Sequence, residues 1–125
     1  MGRRKKKPDA GPGPPQVRFK LYIGEDAIGP GKIELLRSID REGGISSAAR
    51  EMGITFRRAW HLIDTVNSAL GRPVVTTEVG GAGGGGARLT ELGRDLIEHY
   101  DALIEETEAS RSRLLAWVER QKIGP

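Results

Sequence analysis

The sequence predicts a mainly α-helical fold with a small β component, organised around a helix-turn-helix. Three observations carry this prediction. Apolar residues recur three and four positions apart in several segments, and glycine-containing turns separate those segments. Two strand-like runs flank a glycine-rich stretch near residue 80, which is typical of a hairpin. With 125 residues, of which 37% are hydrophobic, the chain can bury one modest core.

Residues 1–16 predict a disordered basic tail. They hold five lysines or arginines against the acid Asp9, a net charge of +4, and many of the other residues are proline or glycine. A segment with so few apolar residues cannot bury a core of its own. Such a tail can lie along DNA phosphates and release counterions. A flexible arm without set contacts is the alternative.

Two elements are predicted ahead of the helix-turn-helix. Apolar and mostly polar residues alternate from Val17 to Ile23, which predicts a half-buried strand. We expect it to pair with a strand of the hairpin or with its own copy in a dimer. A first helix, opened by Pro30 between two glycines, should end at Gly43 and Gly44. Its core-facing residues are expected to be Ile33, Leu35, Leu36 and Ile39.

The helix-turn-helix is predicted between Ser46 and Gly71. Ser46 is a suitable N-cap for a short helix, and Gly53 can adopt the left-handed conformation that the turn requires. Thr55 should cap the second helix, which Gly71 and Pro73 bring to an end. In DNA-binding proteins with this motif, the second helix lies in the major groove. The motif therefore points to DNA as the partner.

The second helix of the motif should have one buried and one exposed face. At about 100° per residue, its inward residues are expected to be Phe56, Ala59, Trp60, Ile63, Val66 and Leu70. Its outward residues are Arg57, Arg58, His61 and Thr65. Arginine can bind guanine edges or phosphate, so this face is expected to contact DNA. A solvated face without a ligand is the alternative.

A glycine-rich hairpin, or wing, is predicted after the motif. The run from Val74 to Thr77 should pair with the run from Ala87 to Thr90, and Arg88 at the base is expected to touch the DNA backbone or minor groove. The wing glycines are Gly80, Gly81, Gly83, Gly84, Gly85 and Gly86. Their bare backbone can approach a phosphate, but no nucleotide-binding signature accompanies them. A hairpin tip without a ligand is the alternative.

A long C-terminal helix is predicted to join two copies of the chain. Thr90 should cap it, and an acidic face surrounds an apolar stripe. The residues expected at the dimer interface are Leu92, Leu96, Tyr100, Leu103, Ile104 and Leu114. Packing of the stripe within the same domain is the alternative. The sequence thus divides into the tail, a DNA-binding domain at 17–90 and a dimerisation helix at 91–125.

Several classes of function find no support in the sequence. The chain has no cysteine, so disulfides and thiolate metal sites are excluded. The two histidines are not arranged as metal ligands, and no catalytic motif is present. No apolar run is long enough to span a membrane. The sequence predicts no enzyme, no metal and no cofactor, and a cytoplasmic, nucleoid-associated location.

Three runs of sequence resemble the N-terminal DNA-binding domain of molybdate-responsive transcription regulators of the ModE type. They are KIELLRSIDREGGISSAAREMGI, GITFRRAW and GGAGGGGARLTELGRDLI. The resemblance covers roughly residues 17 to 108, and its most specific parts are the Ala59-Trp60 pair and the glycine run that leads into Ala87. The chain is more distantly similar to the LysR-type winged helix.

The resemblance implies a winged helix-turn-helix that binds DNA as a symmetric dimer joined by the helix after the wing. Carried over by position, it implies DNA contacts from both helices of the motif and from the wing. These residues are Ser46, Ser47, Thr55, Arg57, Arg58, His61 and the wing segment Gly80 to Arg88. Relatives that sense molybdate use a C-terminal β-barrel domain, for which 125 residues leave no room. The chain is therefore expected to lack the molybdate-binding domain.

Two classes of function follow from these features. The first is a homodimeric transcriptional regulator that binds double-stranded DNA at a near-palindromic operator. The second is a DNA-binding or protein-interaction subunit whose effector-sensing partner is a separate chain. A nonspecific architectural DNA-binding protein is a further alternative, which the basic tail favours. The outward arginines favour the first class, because a protein-binding face should be more apolar.

Overall fold

The computed structural model describes residues 13–78 and 86–121. These residues form five helices and four short strands, which confirms the mainly α-helical fold with a small β component. In chain order the elements are β1 (Leu21–Ile23), β2 (Asp26–Ile28), α1 (Pro30–Glu42), α2 (Ile45–Met52), α3 (Phe56–Leu70), β3 (Val75–Glu78), β4 (Gly86–Leu89), α4 (Glu91–Glu106) and α5 (Glu108–Gln121). Residues 18–106 form one compact unit, which holds β1 to α4, and α5 belongs to a second unit.

The first helix, α1, has the predicted bounds and buried face. Pro30 occupies its first turn, and Gly43 ends it in the left-handed conformation, with its N–H donating to the carbonyl of Ile39 at 2.8 Å. The four apolar residues expected to face the core, Ile33, Leu35, Leu36 and Ile39, are all buried. This helix lies against α2, α3, α4 and β4 and so forms the centre of the core.

The helices α2 and α3 form the predicted helix-turn-helix. Gly53 turns the chain between them at a φ of 72°, and its N–H donates to the carbonyls at the end of α2. Ala49 and Ala59 are fully buried, which allows the two helices to approach closely. The prediction that Ser46 caps α2 is wrong, because the helix already begins at Ile45 and Gly44 occupies the cap position. Thr55 does cap α3, accepting a hydrogen bond from the Arg58 N–H at 2.9 Å.

The predicted strand from Val17 to Ile23 is mostly wrong. Only its last three residues form a strand, β1, which pairs with β2 in a hairpin that turns at Gly24. The expected pairing with the glycine-rich hairpin does not occur. Alternation alone indicates a half-exposed segment, and it cannot reveal which strand is the partner. The nearest strand in sequence forms the ladder here, since a tight turn brings it alongside.

The wing strands β3 and β4 pair antiparallel, as predicted, with Thr76 opposite Arg88 and Val75 opposite Leu89. A hydrogen bond of 3.0 Å from the Ala87 N–H to the Gly43 carbonyl joins the wing strand β4 to the end of α1. A Cβ at Gly86 would lie 3.3 Å from the same carbonyl oxygen. The close backbone approach at this junction therefore favours glycine and fixes the wing beside the helix-turn-helix.

The helix α4 packs against the domain that precedes it. The side chains of Leu92, Leu96 and Tyr100 lie partly buried against the core, and the Tyr100 hydroxyl donates to the Phe19 carbonyl at 2.9 Å. Arg37 of α1 makes two hydrogen bonds to the carboxylate of Asp101. These bonds lower the pKa of Asp101, so the contact stabilises the fold above the ordinary pKa of aspartate and weakens as acid protonates the carboxylate.

The segment predicted as one long C-terminal helix forms two helices. The first, α4, has 16 residues, and the second, α5, has 14, with Thr107 between them. Unlike α4, α5 has no buried residue, and its side chains of Leu114 and Trp117 are about half exposed. The structure groups α4 with the elements before it in one compact unit. The division after Thr90 into a DNA-binding domain and a dimerisation helix stays a prediction.

Candidate nucleic-acid interface

The start of α3 presents cations to the solvent while its opposite face is buried. Arg57, Arg58 and His61 are exposed, and Ala59 and Ile63 are fully buried against α1 and α2. The two faces follow from the helical period that the sequence predicted. Burial of the small and branched residues holds the helix in place, so the cations have a fixed support. The structure thus brings three of the predicted contact residues together on one exposed surface.

Two threonines of the predicted set have additional structural partners. The side-chain oxygen of Thr55 accepts from the first turn of α3, as described above. The hydroxyl of Thr65 donates to the carbonyl of His61 within the same helix at 3.0 Å, and the residue is half-buried. The Thr65 hydroxyl proton is therefore already engaged. Among the outward residues, the arginines and His61 keep their donors on the exposed surface.

The start of α2 lies beside this surface. Its cap, Gly44, has no side chain to accept from the N–H groups of the first turn. Ser46 is exposed in that turn and Ser47 is half-buried. Because a helix N-terminus carries partial positive charge, an anion is favoured there. Both serines, predicted as DNA contacts, line an open groove together with Gly44.

The wing contributes Arg88, whose side chain is largely exposed. Its guanidinium lies 3.7 Å from the carboxylate of Glu78 on the neighbouring strand. An exposed pair of this kind contributes little stability, so the arginine can exchange its partner for a phosphate. Of the predicted wing glycines, Gly86 begins β4. The others, Gly80, Gly81, Gly83, Gly84 and Gly85, lie outside the described residues.

An open groove of about 410 Å³ lies between the start of α2, the first half of α3 and the wing. Ser46, Ser47, Thr77, Phe56 and Trp60 are among the residues that line it. The prediction that Phe56 faces inward is wrong, because its side chain is 52% exposed. Its position as the first residue of α3 explains the difference: no turn of helix precedes it to cover the ring. Trp60, one turn later, is half-buried against the core as predicted.

The sequence interpretation did not single out two further cations, Lys32 near Arg58 of α3 and Lys20 near Lys32. Partial burial lowers the pKa of Lys32, and the nearby positive charges of Lys20 and Arg58 lower it further. The Lys32 ammonium donates to the Ala27 carbonyl at 2.6 Å, and Lys20 lies over the ring of Tyr22. The sequence could have drawn attention to Lys32, because it occupies the first turn of α1, where the helix dipole disfavours a cation.

The described part of the chain has neither a metal-binding cluster nor a membrane-spanning helix. In residues 13–78 and 86–121, no cluster of three or more histidine, cysteine or carboxylate side chains is arranged to hold a metal ion. No helix in the same ranges has the length and apolar character needed to cross a membrane.

Comparison with known proteins confirms the predicted resemblance, although no protein-family model matches the chain. The chain is 42% identical to the molybdenum-pterin-binding protein MopB of Rhodobacter capsulatus over 93 residues, which are 74% of this chain and 33% of that protein. It is 41% identical to the DNA-binding transcriptional dual regulator ModE of Escherichia coli K12 over 76 residues, or 61% of this chain and 29% of the relative. The chain thus spans about a third of the length of these relatives.

Solved structures support the winged-helix fold. The DNA-binding domain of CbnR in complex with DNA matches with a TM-score of 0.54 at 16% identity, over 70% of this chain and 95% of that domain. Full-length CbnR with its target DNA matches with a TM-score of 0.52, also at 16% identity, over 69% of this chain and 28% of that protein. At this identity the likeness concerns the fold.

The ModE relative is a transcriptional regulator rather than an enzyme, in agreement with the sequence prediction.

Proposed function

We propose that this chain, a relative of the ModE-type regulators over most of its length, is a sequence-specific transcriptional regulator that binds double-stranded DNA through α3. The observation that carries the proposal is the exposed cationic start of α3, with Arg57 and Arg58 held by a buried opposite face. Arginine on the first half of a recognition helix can reach base edges in the major groove. In this arrangement the start of α3 and the wing border the same open groove, so both can contact one duplex.

The distribution of charge supports the same partner. Residues 31–90 contain eight basic and six acidic residues, whereas residues 91–125 contain five basic and eight acidic ones. The first segment therefore has a net charge of +2 and the second of −3. Lys32 adds a cation near Arg58 and Lys20 adds one near Lys32, and both can contact the DNA backbone without reading sequence. We place the protein in the cytoplasm, in association with the nucleoid.

Selection of bound duplexes from a random pool tests this function. We expect the recovered sequences to share a motif, with two inverted half-sites about one helical turn apart if the protein binds as a dimer. Recovery without any shared sequence would favour an architectural protein instead. Failure to retain duplexes of any sequence at low ionic strength would contradict DNA binding altogether, because phosphate contacts are strongest there.

We further propose that the protein binds its site as a homodimer through α4. A largely apolar groove of about 230 Å³ is lined by Phe19, Leu21, Leu96, Tyr100 and Leu103, among others. At its rim Leu21 is 45% exposed and Leu103 is 43% exposed. A second copy that covered these side chains would remove their apolar surface from water. The partial burial of Leu92, Leu96 and Tyr100 within their own domain leaves the later part of α4 as the better candidate for the contact.

Replacing Leu103 with glutamate should convert the dimer to a monomer, since a carboxylate would have to be buried in an apolar contact. Sedimentation equilibrium measures the mass directly. Leu103→Met is the matched control, because it keeps an apolar side chain of similar volume and should leave the dimer intact. Leu114→Glu tests the predicted contact on α5 separately. A monomeric parent protein at concentrations that saturate the DNA site, or a dimeric L103E variant, would contradict the role of α4.

A further inference from the structure

We infer that Phe56 reads thymine, by placing its ring against the C5-methyl group of that base in the major groove. The inference rests on the proposed function and names a base-reading residue that the sequence pattern had assigned to the core. Phe56 is the first residue of α3, directly before the two exposed arginines. Its ring is 52% exposed and lines the groove between the start of α2 and the wing. The ring therefore lies on the surface proposed to face DNA.

The ring is held in position from one side. It packs edge-on against Trp60, with 6.5 Å between the ring centroids and 78° between the planes. Trp60 is itself half-buried against the core, so it gives Phe56 a fixed support. An aromatic side chain has only two rotatable bonds, and this contact restricts them further before any ligand arrives. Little conformational freedom then remains to be lost on binding.

The surroundings of the ring restrict what it can recognise. A phenylalanine ring can neither donate nor accept an ordinary hydrogen bond. Its neighbours in the groove include the polar residues Ser46, Ser47 and Thr77, and the following arginines select an anionic partner. Glu78 also lines the groove, but Arg88 pairs with its carboxylate. On the major-groove edges of the four bases, the thymine methyl is the apolar group that proteins read by contact. A DNA ligand thus offers this ring one base-specific partner.

Replacement of thymine by uracil in the duplex tests the contact, since the two bases differ only in that methyl group. The probe is a duplex that the parent protein itself has selected from a random pool, with each thymine of a half-site changed in turn to uracil. For one position we expect the affinity of the parent to fall about fourfold, the factor that corresponds to one buried methyl group. The Phe56→Ala variant should bind the thymine and uracil duplexes equally at that position.

Two further variants separate base reading from a structural role. Ser68→Ala, an exposed change near the other end of α3, should keep the full preference for thymine over uracil. Phe56→Leu, which keeps an apolar side chain, should retain part of that preference. If F56A lowers affinity for thymine and uracil duplexes by the same factor and preserves the parent's preference, the ring only supports the helix or a backbone contact, and the inference is wrong. Unchanged affinity of F56A would likewise overturn it and leave the exposed ring for a protein partner.

The proposed function can fail separately from this inference. If the parent binds no duplex, both are refuted. If it binds a selected sequence but tolerates uracil at every thymine, DNA recognition stands and only the role of Phe56 falls.

Discussion

Replacing Gly93 with alanine should lower the free energy of unfolding by about 1–3 kcal/mol or more, the usual cost of overpacking a well-packed core. Gly93 is the buried residue of α4, and a Cβ there would lie 2.4 Å from the carbonyl oxygen of Val74. No side-chain rotation can relieve this contact, because both atoms are fixed to the backbone. The helix would have to move away from the start of the wing.

The direction of this effect is opposite to the one that helix propensity predicts. In an unobstructed helix, alanine is more favourable than glycine by about 0.8–1.0 kcal/mol. Gly31→Ala in α1 is the matched control, since its Cβ would meet no atom within 4 Å, and it should be neutral or stabilising. Urea denaturation of the parent and both variants gives the comparison. An unchanged or raised stability of G93A would show that α4 does not lie against Val74 as described.

The clash matters because several hydrogen bonds converge on the same junction. The Val74 carbonyl accepts from the Thr90 N–H at 2.9 Å, and the Val74 N–H donates to the side chain of Asn67 at 2.8 Å. The Thr90 hydroxyl donates to the Pro73 carbonyl and accepts from the Gly93 N–H. These bonds connect the end of α3, both ends of the wing and the start of α4. We expect that displacing α4 would also disturb the wing and weaken DNA binding.

The sequence predicted most of the helix ends, because those ends are marked locally. Gly43, Gly53 and Gly71 each end a helix with a positive φ, and Thr55 and Thr90 cap the helices that follow them. Such signals depend on a few neighbouring residues. The junction at Gly93 and Val74 depends on atoms 19 positions apart in sequence, and no pattern in the chain indicates that distance. The pairing of β1 with β2 was missed for the related reason that alternation does not identify a partner strand.

The sequence predicted part of the candidate interface and missed the rest, because local patterns do not show which distant residues meet. The helical period alone indicated that Arg57, Arg58 and His61 share an exposed face, and the structure agrees. It assigned Phe56 to the core, because a periodic pattern takes no account of the end of the helix. The proximity of Lys32 to both Lys20 and Arg58 arises because the fold brings three separate segments together, so sequence spacing could not reveal it.

Replacing Arg57 or Arg58 with alanine should weaken binding to the selected DNA site by about 1–3 kcal/mol for a base-reading contact, or roughly 5- to 150-fold in affinity. The fold should survive, since both side chains are exposed. The cap on α3 should also survive, because Thr55 accepts from the backbone N–H of Arg58, which alanine retains. Arg113→Ala on α5 removes the same charge from a different unit and should change the affinity little.

Replacing each arginine with lysine distinguishes base reading from phosphate contact. Lysine keeps the charge but lacks the planar fork that forms two parallel hydrogen bonds to guanine. Loss of affinity in both the alanine and lysine variants, confined to the selected sequence, would identify a base-reading residue. A phosphate contact predicts a different result. The lysine variant should bind about as tightly as the parent, and the alanine variant should lower the slope of log affinity against log salt concentration by about one. If both alanine variants bind the site as tightly as the parent, the exposed start of α3 is not the DNA-binding surface, and the proposed function loses the observation on which it rests.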